Sequence, residues 1–353
     1  MRKLLVLLAL MAGTVGSQAA DKNAVLRLKG NLEGLGNTVI LTMMENQRQG
    51  KTDTLKAKNG AFDCKLELKQ PVTLYIRGER GATPRRSPSI RIIGMPGETL
   101  QLKGTMTDYT VSGSQFYKQY AEVQAVIKGA SNGPDTDRGA MQGARSKAII
   151  DFAKTHPGYE PLAAFLENVN PHQWDDFLAM LNPEVRDGRM KAYYKPTYDA
   201  IKAQMERQQR AAKLQAPGIE VADFTLPDIN GNPLKLSSLR GKYVVLDFWG
   251  SWCGWCIKGF PEMKKYYEKY KGKLEILGID CNDTPEKWKK AVADHQLPWL
   301  HVYNKKGEGD VTQQFGITGY PTKIIIDPQG RIARSIIGES PAFYTYLDEL
   351  FAQ

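Results

Sequence analysis

Cys253 and Cys256 are the residues of this 353-residue chain whose types and spacing most directly specify chemistry. They close the run Asp247-Phe248-Trp249-Gly250-Ser251-Trp252-Cys253-Gly254-Trp255-Cys256, where an apolar stretch gives way to a helical pattern. Two cysteines three apart at a strand-to-helix junction lie within one helical turn, so their sulfurs can close a bond. The first thiol then stands at a helix N-terminus, where the dipole and free backbone N–H groups favour thiolate over thiol. An unperturbed cysteine titrates near roughly pH 8.5, and motifs of this kind commonly lower that to about 3.5–7.5. Cys253 is therefore expected to attack disulfides, and Cys256, one turn inward, to resolve the mixed disulfide.

Half of a zinc site and an inert structural bridge are the alternatives. Zinc requires further ligands at suitable spacing. The rest of the chain offers Cys64, Cys281 and four histidines, with no second Cys-x-x-Cys and no His-x-x-x-His. No metal site is expected on this count. Copper delivery stays open as an alternative, because thiols bind Cu(I) well and His295 or His301 could add a ligand. Either histidine can equally be a surface or capping residue. No cofactor is expected beyond the redox-active Cys253–Cys256 pair.

Asp247 is a carboxylate six residues before Cys253, inside an otherwise apolar run. Burial raises a carboxyl pKa and lets the group exchange a proton near neutral pH; at a wet strand edge it would be an ordinary acid. Gly254 and Trp255 tune the nucleophile and hence the potential of the pair. Trp255 adds no charge, so the direction of electron flow is not read from it. Its ring is either a contact surface for a substrate or helix packing. Cys281 ends the next apolar strand and is either a third redox thiol or a small buried hydrophobe. Cys64 has no evident mate, and nothing in the sequence supports a Cys64–Cys281 bridge.

The elements that must position this pair follow from the pattern after Pro217-Gly218. Residues 243–249 form a near-continuous apolar run, suited to a strand buried on both faces. A helix is expected at 255–271, a second buried strand at 274–279 and a helix at 286–295. A strand at 322–327, its hairpin partner at 331–337 and an amphipathic helix at 341–351 complete a β-α-β, then β-β-α, order. Upstream the pattern differs. Residues 21–113 read as a small antiparallel β-domain, with strands at 24–28, 38–42, 62–68, 72–77, 89–93 and 99–102. Asn59-Gly60 is a hairpin signal. Residues 114–214 are helical, with Ser114 as a cap, helices at 116–127, 145–155, 161–169 and 174–181, and a long polar one at 194–214.

Composition narrows the function classes. A hydrophobic content of 42% and a charged content of 24% describe a globular chain, neither disordered nor fibrous. Four cysteines in this length exclude a disulfide scaffold. Arg2 and Lys3, the apolar residues 4–12 and Ser17-Gln18-Ala19 read as an export signal, residues 1–19, with a retained anchor or buried first helix as alternatives. The run is short for a permanent span, nothing later is long and apolar enough to be one, and no cysteine near the cleavage site suggests a lipoprotein. A periplasmic or other extracytoplasmic location is expected. The net charge of +10 therefore does not indicate nucleic acid. Its densest stretch, 186–213, alternates Lys191, Lys195 and Lys202 with Asp187, Asp199 and Glu206, as a solvated helix face does.

Trp249, Trp252, Cys253, Cys256 and Pro261 resemble the active-site run of thioredoxins, including the proline that kinks the first active-site helix. Gly319-Tyr320-Pro321-Thr322 resembles the cis-proline loop of that family, although X-Pro bonds are usually trans. Ala222-Asp223-Phe224-Thr225-Leu226, the turn at Asn230-Gly231, Ser237-Ser238-Leu239-Arg240-Gly241 and an insertion at about 280–315 resemble the exported TlpA/ResA branch. The resemblance covers residues 215–353. It implies a C-terminal α/β thioredoxin fold in a multidomain chain, and a thiol:disulfide oxidoreductase that reduces or exchanges disulfides rather than introducing them. It further implies that Asp247 deprotonates Cys256, and that Tyr320 and Pro321, with Trp252 beside Cys253, contact substrate, the Tyr320 backbone pairing with an extended segment. Gly254-Trp255 departs from the Gly-Pro of thioredoxins, so Trp255 stays a candidate contact on its own account. Many relatives in this branch carry a glutamate three residues after the second cysteine. Gly259 stands there, so the base falls to Asp247.

Residues 21–214 resemble, more loosely, the β-domain and helices found ahead of such modules in bacterial exported proteins. The expected partners are cysteine-containing exported proteins, cytochrome-assembly clients among them, and an upstream electron donor. A partner-binding module with subordinate redox activity and a Cu(I) delivery protein are the alternative functions. Peroxidase chemistry is disfavoured, since the Pro-x-x-x-Thr-x-x-Cys arrangement it needs is absent.

Overall fold

A computed structural model describes residues 24–45, 48–79, 88–131 and 137–352; the expected export signal at 1–19 lies outside them. The chain divides into two compact units, Met1–Ile201 and Lys202–Gln353.

The described residues of the first unit begin with eight strands: β1 Ala24–Glu33, β2 Thr38–Glu45, β3 Arg48–Lys56, β4 Ala61–Leu68, β5 Val72–Gly78, β6 Ser89–Gly94, β7 Thr99–Thr105 and β8 Tyr109–Gly113. They form two four-stranded sheets, ordered β4-β1-β7-β8 and β3-β2-β5-β6. The pairing is antiparallel except between β1 and β7, which run parallel. Alternation decides which face is dry: Leu26, Leu28 and Leu32 of β1 are buried while Arg27, Lys29 and Asn31 are exposed.

Asn59 and Gly60 do make a tight turn, both at positive φ, closed by a bridge between Lys58 and Ala61. The strands on either side of it, β3 and β4, belong to different sheets. The turn thus carries the chain from one sheet to the other instead of closing a hairpin. β3 escapes a sequence reading because it is an edge strand of polar composition, RQGKTDTLK.

Helices α1 Gln115–Ala130, α2 Arg138–Thr155, α3 Trp174–Met180, α4 Pro183–Arg186 and α5 Lys191–Leu214 follow, with a 3₁₀ segment at Glu160–Asn168. Ser114 precedes α1 but its hydroxyl makes no cap bond. Asp137 caps α2 by accepting from the Gly139 N–H, which starts that helix seven residues before the expected 145. Inside the core, the Tyr117 hydroxyl donates to the Ile93 carbonyl at 2.8 Å and accepts from the Met95 N–H at 3.1 Å, tying α1 to the end of β6.

The second unit is built on a five-stranded sheet ordered β13-β12-β11-β14-β15. Its strands are β11 Tyr243–Trp249, β12 Leu274–Cys281, β13 Leu300–Asn304, β14 Thr322–Ile326 and β15 Ile332–Ile337, preceded by a small ribbon of β9 Thr225–Pro227 and β10 Pro233–Lys235. The helices are α6 Gly254–Lys269, α7 Pro285–Asp294, α8 Val311–Gln314 and α9 Pro341–Phe351. β11 is central, parallel to β12 and antiparallel to β14. Being covered on both faces is why its sequence is a continuous apolar run. Val245 and Trp249 face Cys256, Phe260 and Phe343, while Val244, Leu246 and Phe248 face Leu277, Phe315 and Ile324. This is the α/β thioredoxin-like domain that the element order predicted. β13, with the mixed composition LHVYN, and the β9–β10 ribbon, three residues per strand, carry no apolar run that marks them in the sequence.

Candidate active site

The site forms where β11 ends. From Trp249 the chain turns through Gly250, Ser251 and Trp252 to Cys253, the N-cap of α6. Asp283, in the loop after β12, holds that turn. Its carboxylate accepts the Ser251 N–H at 2.6 Å and the Ser251 hydroxyl at 2.6 Å. The Trp252 indole donates to the Cys281 carbonyl at 2.8 Å. Neither Asp283 nor Ser251 stood out in the sequence, because the contact joins residues far apart along the chain.

Cys253 and Cys256 are joined by a disulfide, with Cα atoms 5.3 Å apart. The Cys256 N–H donates to Cys253 Sγ at 3.2 Å. The Cys253 sulfur therefore receives a backbone donor at the positive end of a 16-residue helix, and once the bond is reduced the same donor favours its thiolate. Cys253 is 6% exposed and Cys256 2%, so Cys253 is the outer member of the pair.

Asp247 lies in β11 between Val245 and Trp249, which pack in the cluster that contains both cysteines. Side chains at i and i±2 share a face of a strand, so its carboxyl group points to the cysteine side. That side chain is 1% exposed. Burial raises its pKa to about 6, with the Lys323 ammonium pulling it down and Glu339 pushing it up. Such an acid changes protonation close to neutrality. Its Oδ1 has no hydrogen-bond partner among the described residues.

Two partners of Asp247 were not found from sequence. Lys323 of β14 stands opposite it in the antiparallel register, Nζ 3.9 Å from Oδ1, and is likewise 1% exposed. Lys323 Nζ donates to Glu339 Oε2 at 2.8 Å, and the Tyr344 hydroxyl donates to Glu339 Oε1 at 2.7 Å. The available signal was a lysine inside the apolar run Thr322–Ile326, the counterpart of an aspartate inside the apolar β11.

The Tyr320–Pro321 peptide is cis. The Thr322 hydroxyl donates to the Gly319 carbonyl at 2.7 Å, and the Gly338 N–H donates to the Pro321 carbonyl at 2.7 Å. The Tyr320 ring meets Trp252 edge to face, with centroids 5.2 Å apart. Trp252 and Trp255 are 51% and 63% exposed. The Trp255 ring lies open to solvent, with Nζ of Lys258, one turn along the same helix, 4.9 Å from its centroid. Ile337, at the end of β15, is a further exposed apolar residue that the sequence reading missed.

Cys281 is a buried free thiol whose pKa is pushed up by burial, and Cys64 is also free, its pKa raised to about 11 by burial and nearby aspartates. They form no bridge. His301 is buried between Trp249 and Trp299, ring centroids 6.0 Å from each, and burial lowers its pKa to about 3. His295 caps the end of α7 and lies against Phe260. Among the described residues no group of three or more His, Cys, Asp and Glu side chains is placed to hold a metal ion.

Residues 217–335 match the AhpC/TSA family, and residues 26–120 match a domain of unknown function, DUF4369. A stretch of 123 residues is 35% identical to the thiol-disulfide oxidoreductase ResA of Bacillus thuringiensis subsp. konkukian, covering 35% of this chain and 70% of that protein. The ResA of Bacillus subtilis is 30% identical over 126 residues, covering 34% and 67% respectively. Among solved structures, the thioredoxin domain of a thiol-disulfide oxidoreductase from Bacteroides vulgatus is 31% identical, with a TM-score of 0.36, over 38% of this chain and 97% of that one. A putative thiol:disulfide interchange protein DsbE from Chlorobium tepidum is 30% identical, with a TM-score of 0.36, over 38% and 95%.

Proposed function

The chain belongs to the ResA-type thiol-disulfide oxidoreductases, and from that premise we propose that it reduces or exchanges disulfides of exported proteins, with Cys253 as nucleophile and Cys256 as resolving thiol. The observation that carries this reading is the Cys253 sulfur at the head of α6, accepting the Cys256 N–H, with a buried carboxyl group on the same face of β11.

The reaction starts from the reduced pair. The Cys253 thiolate attacks one sulfur of a client disulfide; that S–S bond breaks and the departing client thiolate takes up a proton. A mixed disulfide between Cys253 and the client remains. Cys256 then gives its thiol proton to Asp247, and the resulting thiolate attacks Cys253 Sγ. The bond to the client breaks, the second client thiolate is protonated, and the Cys253–Cys256 disulfide forms. Two electrons have passed to the client. An external dithiol donor returns them and restores the reduced pair.

Trp252 and Trp255 offer exposed apolar surface beside the cysteines, and the half-buried Tyr320 ring against Trp252 brings the Tyr320–Pro321 loop to the same surface, which supports docking of an extended client segment there. The extracytoplasmic setting is read from residues 1–19. No helix of the described residues is long and apolar enough to cross a membrane.

The test is reduction of insulin disulfides by the full chain with dithiothreitol as donor. Cys253→Ser is expected to abolish the catalysed rate. Unchanged turnover in that variant would overturn the reading.

A further inference from the structure

Asp247 has a difficulty of placement. It is buried, and a group that accepts and returns a proton in each cycle must be held at a workable proton affinity while sealed from water. Desolvation alone drives a carboxyl pKa upward by several units, and a lone adjacent cation drives it the other way. The balance depends on what neutralises the cation.

Glu339 does this from another element. It lies between β15 and α9, and its carboxylate reaches inward against α6. The space it enters is the side-chain space of Gly259: a Cβ built on Gly259 overlaps the Glu339 carboxylate. There Oε2 accepts from Lys323 Nζ at 2.8 Å, and Oε1 accepts from the Tyr344 hydroxyl at 2.7 Å. Lys323 Nζ is 3.9 Å from Asp247 Oδ1. The lysine is thus shared, held firmly by Glu339 and more loosely by Asp247. Glu339 also borders an open hollow of about 600 Å³ lined by Trp255, Lys258, Glu262, Tyr266 and Tyr344, so the outer end of this array meets solvent beside the exposed tryptophan.

We propose that Glu339 is a positioning residue for the resolving step: by occupying the space left by Gly259 and binding Lys323, it fixes the proton affinity of Asp247. The proposal rests on Asp247 being the base for Cys256. The groups that bear on Asp247 are Lys323 from β14, Glu339 from the β15–α9 connection, Tyr344 from α9 and Cys281 from β12. Cys256 faces it from α6, which also carries Glu262 near Tyr344. Of these, Lys323 lowers its proton affinity and Glu339 raises it. Neutralising Glu339 leaves Lys323 acting on Asp247 undiluted, so the Asp247 midpoint falls. A methyl group at position 259 displaces the carboxylate and acts in the same direction.

The experiment follows the Asp247 carboxyl ¹³C resonance of the reduced full chain across a pH titration, with the signal assigned by its loss in Asp247→Asn. Glu339→Gln keeps the shape of the side chain, and Gly259→Ala leaves Glu339 in place while denying it the space. In each variant the midpoint is expected to fall by about one unit, a tenfold loss of proton affinity, and the pH profile of the resolving step to move with it. Midpoints unchanged in both variants overturn the proposal. The underlying reading fails separately, if Asp247→Asn resolves mixed disulfides at the wild-type rate.

Discussion

Lys323 holds its ammonium 3.9 Å from Asp247 Oδ1, across the antiparallel register that sets the two residues opposite each other, and both side chains are 1% exposed. A buried carboxyl group feels a buried ammonium beside it far more than it would at the surface, because little water screens the charge. The pH dependence of the reaction is where that relationship becomes measurable.

In the proposed role Asp247 can take up the Cys256 proton only as the carboxylate, and burial raises its pKa to about 6. The rate of resolving a mixed disulfide should therefore climb as pH rises through about 6. Asp247→Asn should lower the plateau by about 10²-fold, in the range of general base catalysis, and remove that rise. Rapid-mixing measurement of the step in both proteins decides it; a wild-type profile in Asp247→Asn would refute the assigned role.

Asp280 is fully buried, and burial together with the neighbouring Asp283 raises its pKa to about 8. Its unfolded pKa is about 3.9. Because the folded value is the higher one, its contribution to stability is complete below about pH 4 and is lost as pH rises through about 8. Asp280→Asn should flatten that loss. Urea unfolding at several pH values, followed by tryptophan emission, measures it, since five of the six tryptophans lie after residue 202. Equal pH dependence in both proteins would contradict the assignment.

Trp255 is exposed and carries no hydrogen bond into the core, so its removal should cost little stability, within about 0.5 kcal/mol. As a client contact it is an aromatic anchor of the kind worth about 1–2 kcal/mol. Trp255→Ala should raise KM for a protein disulfide by about 5–30-fold with kcat little changed. An unaltered KM would remove Trp255 from the client surface.

The sequence carried the core of this site because local spacing and polarity encode it. Cys253 and Cys256 share a helical turn, and Asp247 is an anomaly within its own strand. Lys323 and Glu339 are different in kind. Lys323 is an anomaly within its apolar strand, but only the placement of β14 beside β11 shows that it faces Asp247; Glu339 is unremarkable locally, and the empty side-chain space at Gly259 is what admits its carboxylate. Asp283 illustrates the same limit, since it grips Ser251 only after β11 and β12 pair. Among the elements, polar edge strand β3 and the mixed β13, LHVYN, are hidden by composition, while β11 is legible because burial on both faces leaves an apolar run broken only by Asp247.

The division of labour between Cys253 and Cys256 is tested most directly by trapping. Cys256→Ser and Cys253→Ser are each reduced, mixed with a disulfide-linked peptide, quenched with acid and mapped by mass spectrometry. A persistent mixed disulfide is expected on Cys253 in Cys256→Ser, and almost none on the more buried Cys256 in Cys253→Ser. Equal trapping on Cys256, or a Cys253 adduct that resolves at the normal rate without Cys256, would contradict that division of labour.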